Sequence, residues 1–199
     1  MPRYREIYIK KEAKIIVWRI EETEEQLLSL LVDYSLPESF HNYKSASHRK
    51  QFLSTQILLQ AEGVLGEIYK DENGKPLLNN GFVSISHDSN YVAVMLSKKK
   101  CGIDLQSLSP KVLRISHKFY DQCDTPQEGD EVSFQTLIWS LKEALYKING
   151  DPMVYFKEYL RINSINKNTA DCSVLYPAYK SDYKMSIGKV DQLYLVYTI

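Results

Sequence analysis

One long amphipathic helix constrains the fold more than any other feature of the sequence. The segment 131–148 carries apolar side chains at i, i+4, i+7, i+11 and i+14, the spacing of a helix face that is buried against another layer. These side chains are Phe134, Ile138, Leu141, Leu145 and Ile148. Asp130 is suited to cap the first turn, and Gly150 is suited to end the helix. The rest of the chain must therefore supply a layer that covers this face.

Short segments rich in β-branched and aromatic residues surround this helix and predict strands. They lie at 7–9, 15–18, 82–85, 91–96, 101–105, 160–165, 172–176, 183–187 and 193–198. Further helices are predicted at 21–32, 45–62 and 110–120, a hairpin turn at 87–90 and an exposed loop at 121–130. Strands and helices do not alternate regularly, so the pattern favours an α+β fold over a doubly wound parallel sheet.

The charge of the chain is balanced, with 25 Lys and Arg against 25 Asp and Glu among 199 residues. This balance holds in both halves and argues against a general nucleic-acid binder. Only eight residues are glycine, which leaves little room for glycine-rich phosphate loops. A phosphate ligand would therefore be held locally by side chains. The length suits one large domain or two small ones.

The cysteines and the apolar segments indicate a cytoplasmic protein. Cys101, Cys123 and Cys172 are far apart and have no metal-site spacing, so we expect reduced thiols. The first residues lack the apolar segment of a signal peptide, and the longest apolar runs are too short to span a bilayer.

Two segments of the second half carry carboxylates that could do chemistry. In the segment 102–106, Asp104 at a strand end could hold a metal, and Gly102 permits close backbone approach. In the segment 139–147, Glu143 and Lys147 share one helix face. Taken alone, Asp104 is more simply a turn residue and Glu143 with Lys147 a surface ion pair.

Two segments of the first half carry cationic residues. Arg49 stands at the start of a predicted helix, where an anion could bind. His87 follows Ser86 near a strand end, with Gly-Lys-Pro at 74–76 before it. Each of these residues is, by itself, more often an ordinary surface residue.

The order of these segments is more specific than any one of them. Arg49, Gly-Lys-Pro at 74–76, Ser-His at 86–87, Gly-Ile-Asp at 102–104 and Trp-Ser-Leu-Lys-Glu-Ala-Leu-Tyr-Lys at 139–147 follow one another as in the 4′-phosphopantetheinyl transferases. The sequence resembles the larger, surfactin-synthetase-activating type of that family. The last two motifs are the most diagnostic.

The resemblance implies transfer of the phosphopantetheine arm of coenzyme A to a serine of an acyl or peptidyl carrier protein. The reaction releases adenosine 3′,5′-bisphosphate and needs Mg²⁺. The larger members have two similar α+β halves in a pseudo-two-fold arrangement, with the active site in the cleft between them. We therefore expect an N-terminal half at 1–100 with the coenzyme A contacts, a C-terminal half at 101–199 with the metal site and the catalytic helix, and a functional monomer.

The resemblance also implies a role for each residue of the second half. Asp104 and Glu143 would hold Mg²⁺, and Glu143 would be the base for the carrier serine. Lys147 would place positive charge on the pyrophosphate. Lys142 projects about 100° away from Glu143 on a helix and is a secondary phosphate candidate.

The residues of the first half would bind coenzyme A. Arg49, Ser86 and His87 resemble the group that holds the 3′-phosphate. Lys75 and Pro76 resemble the segment that lines the adenine site.

Gln106 departs from the family pattern, in which many members have an acidic residue at this position. A neutral amide binds Mg²⁺ more weakly than a carboxylate, so Gln106 is at most a weak third ligand. It is also the only motivation for an alternative, a degenerate member that binds coenzyme A or a carrier protein without catalysis. A magnesium-dependent nucleotide hydrolase on an unrelated α+β fold is a third, less favoured reading.

A basic helix at 110–120 suggests how a carrier protein could dock. Lys111, Arg114 and Lys118 follow i, i+3, i+7 on one face. Carrier proteins are acidic around their serine, so these side chains would help to orient one. A solvated amphipathic helix explains the pattern equally well.

Overall fold

A four-stranded and a five-stranded antiparallel β-sheet, a two-stranded sheet and the helices packed on them make up the fold, which a computed structural model describes for residues 4–124 and 130–199. The α+β expectation is confirmed. Part of the predicted loop at 121–130, namely residues 125–129, lies outside the described residues.

The first sheet has the strand order β1-β2-β6-β5. The elements before residue 100 are β1 (Arg5–Ile9), β2 (Ala13–Arg19), α1 (Glu24–Leu30), α2 (Ala46–Ala61), β3 (Ile68–Lys70), β4 (Pro76–Leu78), β5 (Phe82–Asp88) and β6 (Tyr91–Ser97). Strands β3 and β4 form a separate two-stranded sheet.

The second sheet has the strand order β7-β11-β10-β9-β8. Its elements and helices are β7 (Ile103–Ser107), α3 (Lys111–Phe119), α4 (Glu131–Asn149), α5 (Phe156–Tyr159), β8 (Leu160–Asn166), β9 (Thr169–Tyr176), β10 (Tyr179–Val190) and β11 (Leu193–Thr198).

The alternation of side chains along the strands builds three apolar cores. In β2, Ile16 and Trp18 join the core that contains α2, whereas Ile15 and Val17 face the second sheet. In β7, Ile103 and Leu105 belong to the core shared by the two sheets. Asp104 lies between them in sequence, so it faces the other side of the sheet, where α4 packs.

Helix α4 forms as the sequence predicts. Asp130 accepts a hydrogen bond from the Ser133 amide at 3.0 Å, and Gly150 ends the helix in the left-handed conformation with φ 72°. Four residues of the predicted stripe are fully buried: Ile138, Leu141, Leu145 and Ile148. Phe134 packs against the same core but stays partly exposed.

Gly102 lets the start of β7 touch the backbone of α4. A Cβ atom at this position would lie 2.0 Å from the carbonyl oxygen of Ala144. The predicted close approach is therefore confirmed, and it places Asp104 beside the helix that carries Glu143.

Several boundaries differ from those predicted, and three of them concern the candidate site or its neighbours. Helix α1 is shorter because a capping box between Thr23 and Gln26 fixes its start. Strand β7 begins at Ile103, so Asp104 is inside a strand and not at a strand end. His87 and Asp88 belong to β5, because Ser89, with φ 53°, turns the chain after them.

Within residues 4–124 and 130–199, no helix combines the length and apolar character needed to cross a membrane. Cys101, Cys123 and Cys172 are all free thiols.

Candidate active site

A cavity of about 560 Å³ is bounded by β5, β7 and α4. Seven of the predicted site residues line it: Pro76, Ser86, His87, Asp104, Gln106, Glu143 and Lys147. Both sheets therefore contribute walls to the same cavity.

Asp104 is a buried carboxylate in the wall of this cavity, only 4% exposed. Its Oδ1 accepts hydrogen bonds from Ser86 Oγ and Lys147 Nζ, both at 2.9 Å. Its Oδ2 accepts from Ser140 Oγ at 2.8 Å. Strand β5, strand β7 and helix α4 thus meet at one carboxylate, whose charge is balanced by a lysine.

Lys147 is held in place by three acceptors. Its ammonium donates to Asp104 Oδ1, to Ser86 Oγ at 3.1 Å and to the carbonyl of Ile103 at 3.0 Å. Within the described part of the chain it forms no ion pair with Glu143. The helix-surface pair considered from spacing alone is therefore replaced by a pair between α4 and β7.

Glu143 has no hydrogen-bond or ion-pair partner among residues 4–124 and 130–199. Burial raises the pKa of its carboxyl to about 7; the positive charge of Lys147 opposes this rise, and the negative charge of Asp104 adds to it. A carboxyl with this pKa takes up and releases protons near neutral pH, as a general base must.

The two carboxylates fit a magnesium ion that takes most of its ligands from elsewhere. The described residues contain no group of three His, Cys, Asp or Glu side chains that could enclose a metal. Mg²⁺ typically uses one or two carboxylates and fills its shell with water and phosphate oxygens. The unpaired Glu143 and the neighbouring Asp104 match that requirement.

A second cavity, of about 340 Å³, adjoins the first and shares Pro76, Ile85 and His87 with it. Its walls also include Tyr43, His48, Gln51, Phe52, Thr55, Gln56, Lys70 and Gly74. Burial lowers the pKa of the His87 imidazole, and the positive charges of Lys147 and His48 act in the same direction.

The sequence analysis missed His48 and Lys70 as cationic residues of this cavity. For His48 a signal existed, because His48, Phe52 and Thr55 follow i, i+4, i+7 and so share a helix face. Lys70 stands on β3, and no motif marked it.

Arg49 does not line either cavity. Its Nε lies 2.9 Å from Glu24 Oε1, and its guanidinium also donates to the carbonyl of Tyr43 at 2.9 Å. One residue along a helix is a rotation of about 100°, which turns Arg49 away from the face of His48.

Lys142 is fully buried and also lies outside the cavity. Its ammonium donates to Asp124 Oδ2 and to the carbonyl of Phe119, both at 2.7 Å. Burial lowers the pKa of Lys142, and its bond to Asp124 opposes this. The pair ties α4 to the end of α3, which is a structural contact.

Lys75 lines a third cavity, of about 230 Å³, together with Pro76, Tyr146, Lys147 and others. Its ammonium donates to the carbonyl of Ile148 at 2.8 Å, in the last turn of α4. Burial is the main cause that lowers its pKa. Lys75 thus links the first half of the chain to the C-terminal end of α4, the candidate catalytic helix.

Gln106 contacts two residues that the sequence analysis gave no role. Its Oε1 accepts a hydrogen bond from Trp139 Nε1 at 3.2 Å. Its Nε2 lies 3.5 Å from Asp88 Oδ2. Both neighbours line the first cavity.

The second half of the chain matches a family of known proteins. No curated protein matches the chain. The match to the 4′-phosphopantetheinyl transferase superfamily covers residues 100–196, the segment that contains Asp104, Glu143 and Lys147, and it supports a transferase activity.

Proposed function

We propose that this protein transfers the 4′-phosphopantetheine group of coenzyme A to a serine of an apo acyl or peptidyl carrier protein. The observation that carries the proposal is the unpaired Glu143, with its raised pKa, beside the Asp104–Lys147 pair in one cavity. This arrangement offers a proton acceptor, a carboxylate for a cation and a positive charge within the segment that matches the superfamily.

The reaction is a phosphoryl transfer, in which positioning and charge neutralisation do most of the work. Glu143 accepts the proton of the carrier serine, directly or through a water molecule. The serine oxygen then bonds to the β-phosphorus of coenzyme A. The bond from that phosphorus to the bridging oxygen breaks, and the oxygen leaves with adenosine 3′,5′-bisphosphate. Lys147 neutralises charge on the pyrophosphate.

Mg²⁺, when bound, supplies further positive charge to the pyrophosphate oxygens. Asp104 and Glu143 are the residues that would hold it. Because Asp104 is already bonded to Ser86, Ser140 and Lys147, its carboxylate is oriented before any ligand arrives.

The second cavity is our proposed site for the adenosine end of coenzyme A. His87, His48 and Lys70 would meet the 3′-phosphate, and Pro76 would line the base. Arg49 can join them only by leaving Glu24. Lys75 would act from the third cavity, which shares Pro76 with the second.

We also propose that the two parts of the chain, divided between residues 100 and 101, are the two halves of the larger transferase type with the active site in the cleft between them. Two observations support this. The chain leaves the first sheet at Ser97 and enters the second at Ile103. Each sheet packs against one long helix, α2 or α4.

Helix α3 is the proposed docking surface for the carrier protein. Val112 and Phe119 are buried, whereas Lys111, Arg114 and Lys118 are exposed. These three cations form no ion pair with any described residue. An acidic partner would therefore meet cations that no carboxylate among the described residues neutralises.

The test is to incubate the protein with coenzyme A, Mg²⁺ and an apo carrier protein and to measure the mass of the carrier. We expect the mass gain of one phosphopantetheine group, and its loss in Glu143→Gln. Glu131→Gln, an exposed glutamate at the start of the same helix, is the matched control and should keep the activity. Coenzyme A binding without mass gain on either carrier type would support the non-catalytic alternative instead.

A further inference from the structure

We propose that Gln106 is a positioning residue and not a metal ligand: its side-chain amide holds Trp139 and thereby the face of α4 that carries Glu143. This inference rests on the proposed function, because it concerns the same site. It explains why a neutral amide stands two residues after Asp104 in β7.

The neighbours of Gln106 fix the orientation of its amide. The indole N–H of Trp139 can only donate a hydrogen bond, so the atom it meets at 3.2 Å must be the amide oxygen. The amide nitrogen then points to the carbonyl oxygen of Ser107 at 3.4 Å and to Asp88 Oδ2 at 3.5 Å, both long distances. One side chain thus faces a donor on α4 and an acceptor on β5.

This orientation makes Gln106 a poor ligand. The amide oxygen is the only side-chain atom of glutamine that could coordinate Mg²⁺, and one of its two lone pairs already accepts from Trp139. A glutamate at this position would still accept from Trp139 but would bring a second negative charge next to Asp88. The amide is the group that suits both neighbours.

Trp139 connects this contact to Glu143. The two residues are four apart in α4, so they lie on one helix face, and both line the first cavity. The indole ring stacks on Phe156, with centroids 5.4 Å apart, and meets the edge of Phe119 at 5.1 Å. Rings thus hold the body of Trp139, and Gln106 holds its only polar atom.

A double-mutant cycle separates positioning from metal binding. The variants are Gln106→Met, Trp139→Phe and the two combined. If the hydrogen bond is the function of Gln106, each single change slows transfer by about fivefold, and the combination is no slower than the worse single variant. Calorimetric titration with Mg²⁺ should give the wild-type affinity in Gln106→Met. A tenfold or greater loss of Mg²⁺ affinity in Gln106→Met, with about normal affinity in Trp139→Phe, overturns the proposal.

A second experiment adds a negative charge at position 106 and then removes the one at position 88. Gln106→Glu should lower the melting temperature, and Asp88→Asn added to it should restore that temperature, because one of two facing carboxylates has been removed. Tighter Mg²⁺ binding and faster transfer in Gln106→Glu alone would instead identify position 106 as a ligand position.

A readout that needs no transfer keeps this inference separate from the proposed function. The Trp139 indole N–H resonance should shift in Gln106→Met and stay near its wild-type position in Gln106→Glu, which keeps an acceptor. If the wild type itself does not transfer the group, the proposed function fails. The Trp139 resonance still shows in that case whether Gln106 holds Trp139. An unmoved resonance in Gln106→Met overturns the positioning role.

Discussion

The ammonium of Lys147 lies 2.9 Å from Oδ1 of Asp104, so an ion pair joins the helix that carries Glu143 to the first strand of the second sheet. Ser86, from the first sheet, donates to the same oxygen. This contact therefore connects β5, β7 and α4, the three elements that form the walls of the first cavity. Asp104 thus holds these elements together and also lines the candidate site.

Asp104→Ala should be inactive and clearly less stable than the wild type. It removes the acceptor of Lys147, Ser86 and Ser140 at a buried position, and breaking such a pair from one side costs about 3 kcal/mol of unfolding free energy. Asp104→Asn keeps an oxygen acceptor, so its stability should fall less than that of Asp104→Ala. Its activity should be lost to the same extent. Urea denaturation measures the difference.

Asp182→Ala is the control for Asp104→Ala, because the Asp182 side chain is 69% exposed and should matter little. Equal losses of stability in Asp104→Ala and Asp104→Asn would contradict the argument from the lost acceptor.

Glu143 should make the metal-free protein less stable as the pH rises. The pKa of its carboxyl is raised from 4.5 to about 7 in the folded state, so folding favours the protonated form. That contribution is present in full below the unfolded pKa and is lost as the pH rises through the folded pKa. Since one pKa unit corresponds to about 1.4 kcal/mol, the loss is on the order of 3 to 4 kcal/mol.

The measurement is the unfolding free energy of the wild type and Glu143→Gln at about pH 5 and about pH 8 in the presence of a chelator. The difference between the two proteins should grow in favour of Glu143→Gln at the higher pH. Glu131→Gln should follow the wild type. A difference that does not change with pH would mean that Glu143 titrates normally.

Lys142→Met should destabilise the fold without weakening coenzyme A binding. The substitution leaves Asp124, which has no exposed side-chain surface, without its counter-charge, at a cost of about 3 kcal/mol. The phosphate role considered from the sequence requires instead that KM for coenzyme A rises. Activity measured well below the melting temperature distinguishes the two, and Lys142→Met with Asp124→Asn should recover part of the stability.

The bounds and the buried face of α4 could be predicted from the sequence, because local patterns determine them. The period of Ile138, Leu141 and Leu145 defines α4 and its buried face, and Asp130 and Gly150 set its ends. The close approach at Gly102 also follows from residue type. The helix and its caps depend on neighbours in the chain, whereas at Gly102 the residue type permits a close approach without naming the distant partner, Ala144.

The roles of Arg49 and Lys142 could not be predicted in this way, because their partners come from separate elements. Glu24, on α1, takes Arg49, and Asp124, after α3, takes Lys142. Nothing in the spacing of either pair marks the contact. Each lysine or arginine also stands one residue from a cavity-lining neighbour, so only the rotation of its helix decides which of the two reaches the cavity.

Gly102→Ala should disrupt the close packing between the start of β7 and α4. The new Cβ would lie 2.0 Å from the Ala144 carbonyl oxygen, which is backbone and cannot rotate away. We expect a loss of about 3 kcal/mol or more of unfolding free energy, together with lower activity because Asp104 moves relative to α4. Gly188→Ala is the matched control within a strand, since its Cβ would meet only the Leu195 carbonyl oxygen at 3.8 Å. Similar losses in both variants would point to a general effect of glycine replacement.

Charge reversal on α3 should impair use of the carrier protein and leave coenzyme A binding unchanged. Arg114→Glu with Lys118→Glu replaces two positive charges on the exposed face of α3 with two negative charges. The buried Val112 and Phe119 are unchanged and keep the helix in place. Because complementary charge acts mainly on encounter, KM for the carrier should rise by about tenfold at low salt, and less at high salt. Lys11→Glu with Lys98→Glu changes the net charge equally at exposed positions outside α3 and is the control. Steady-state kinetics at two salt concentrations provide the measurement, and unchanged carrier kinetics in the α3 variant would rule out this docking surface.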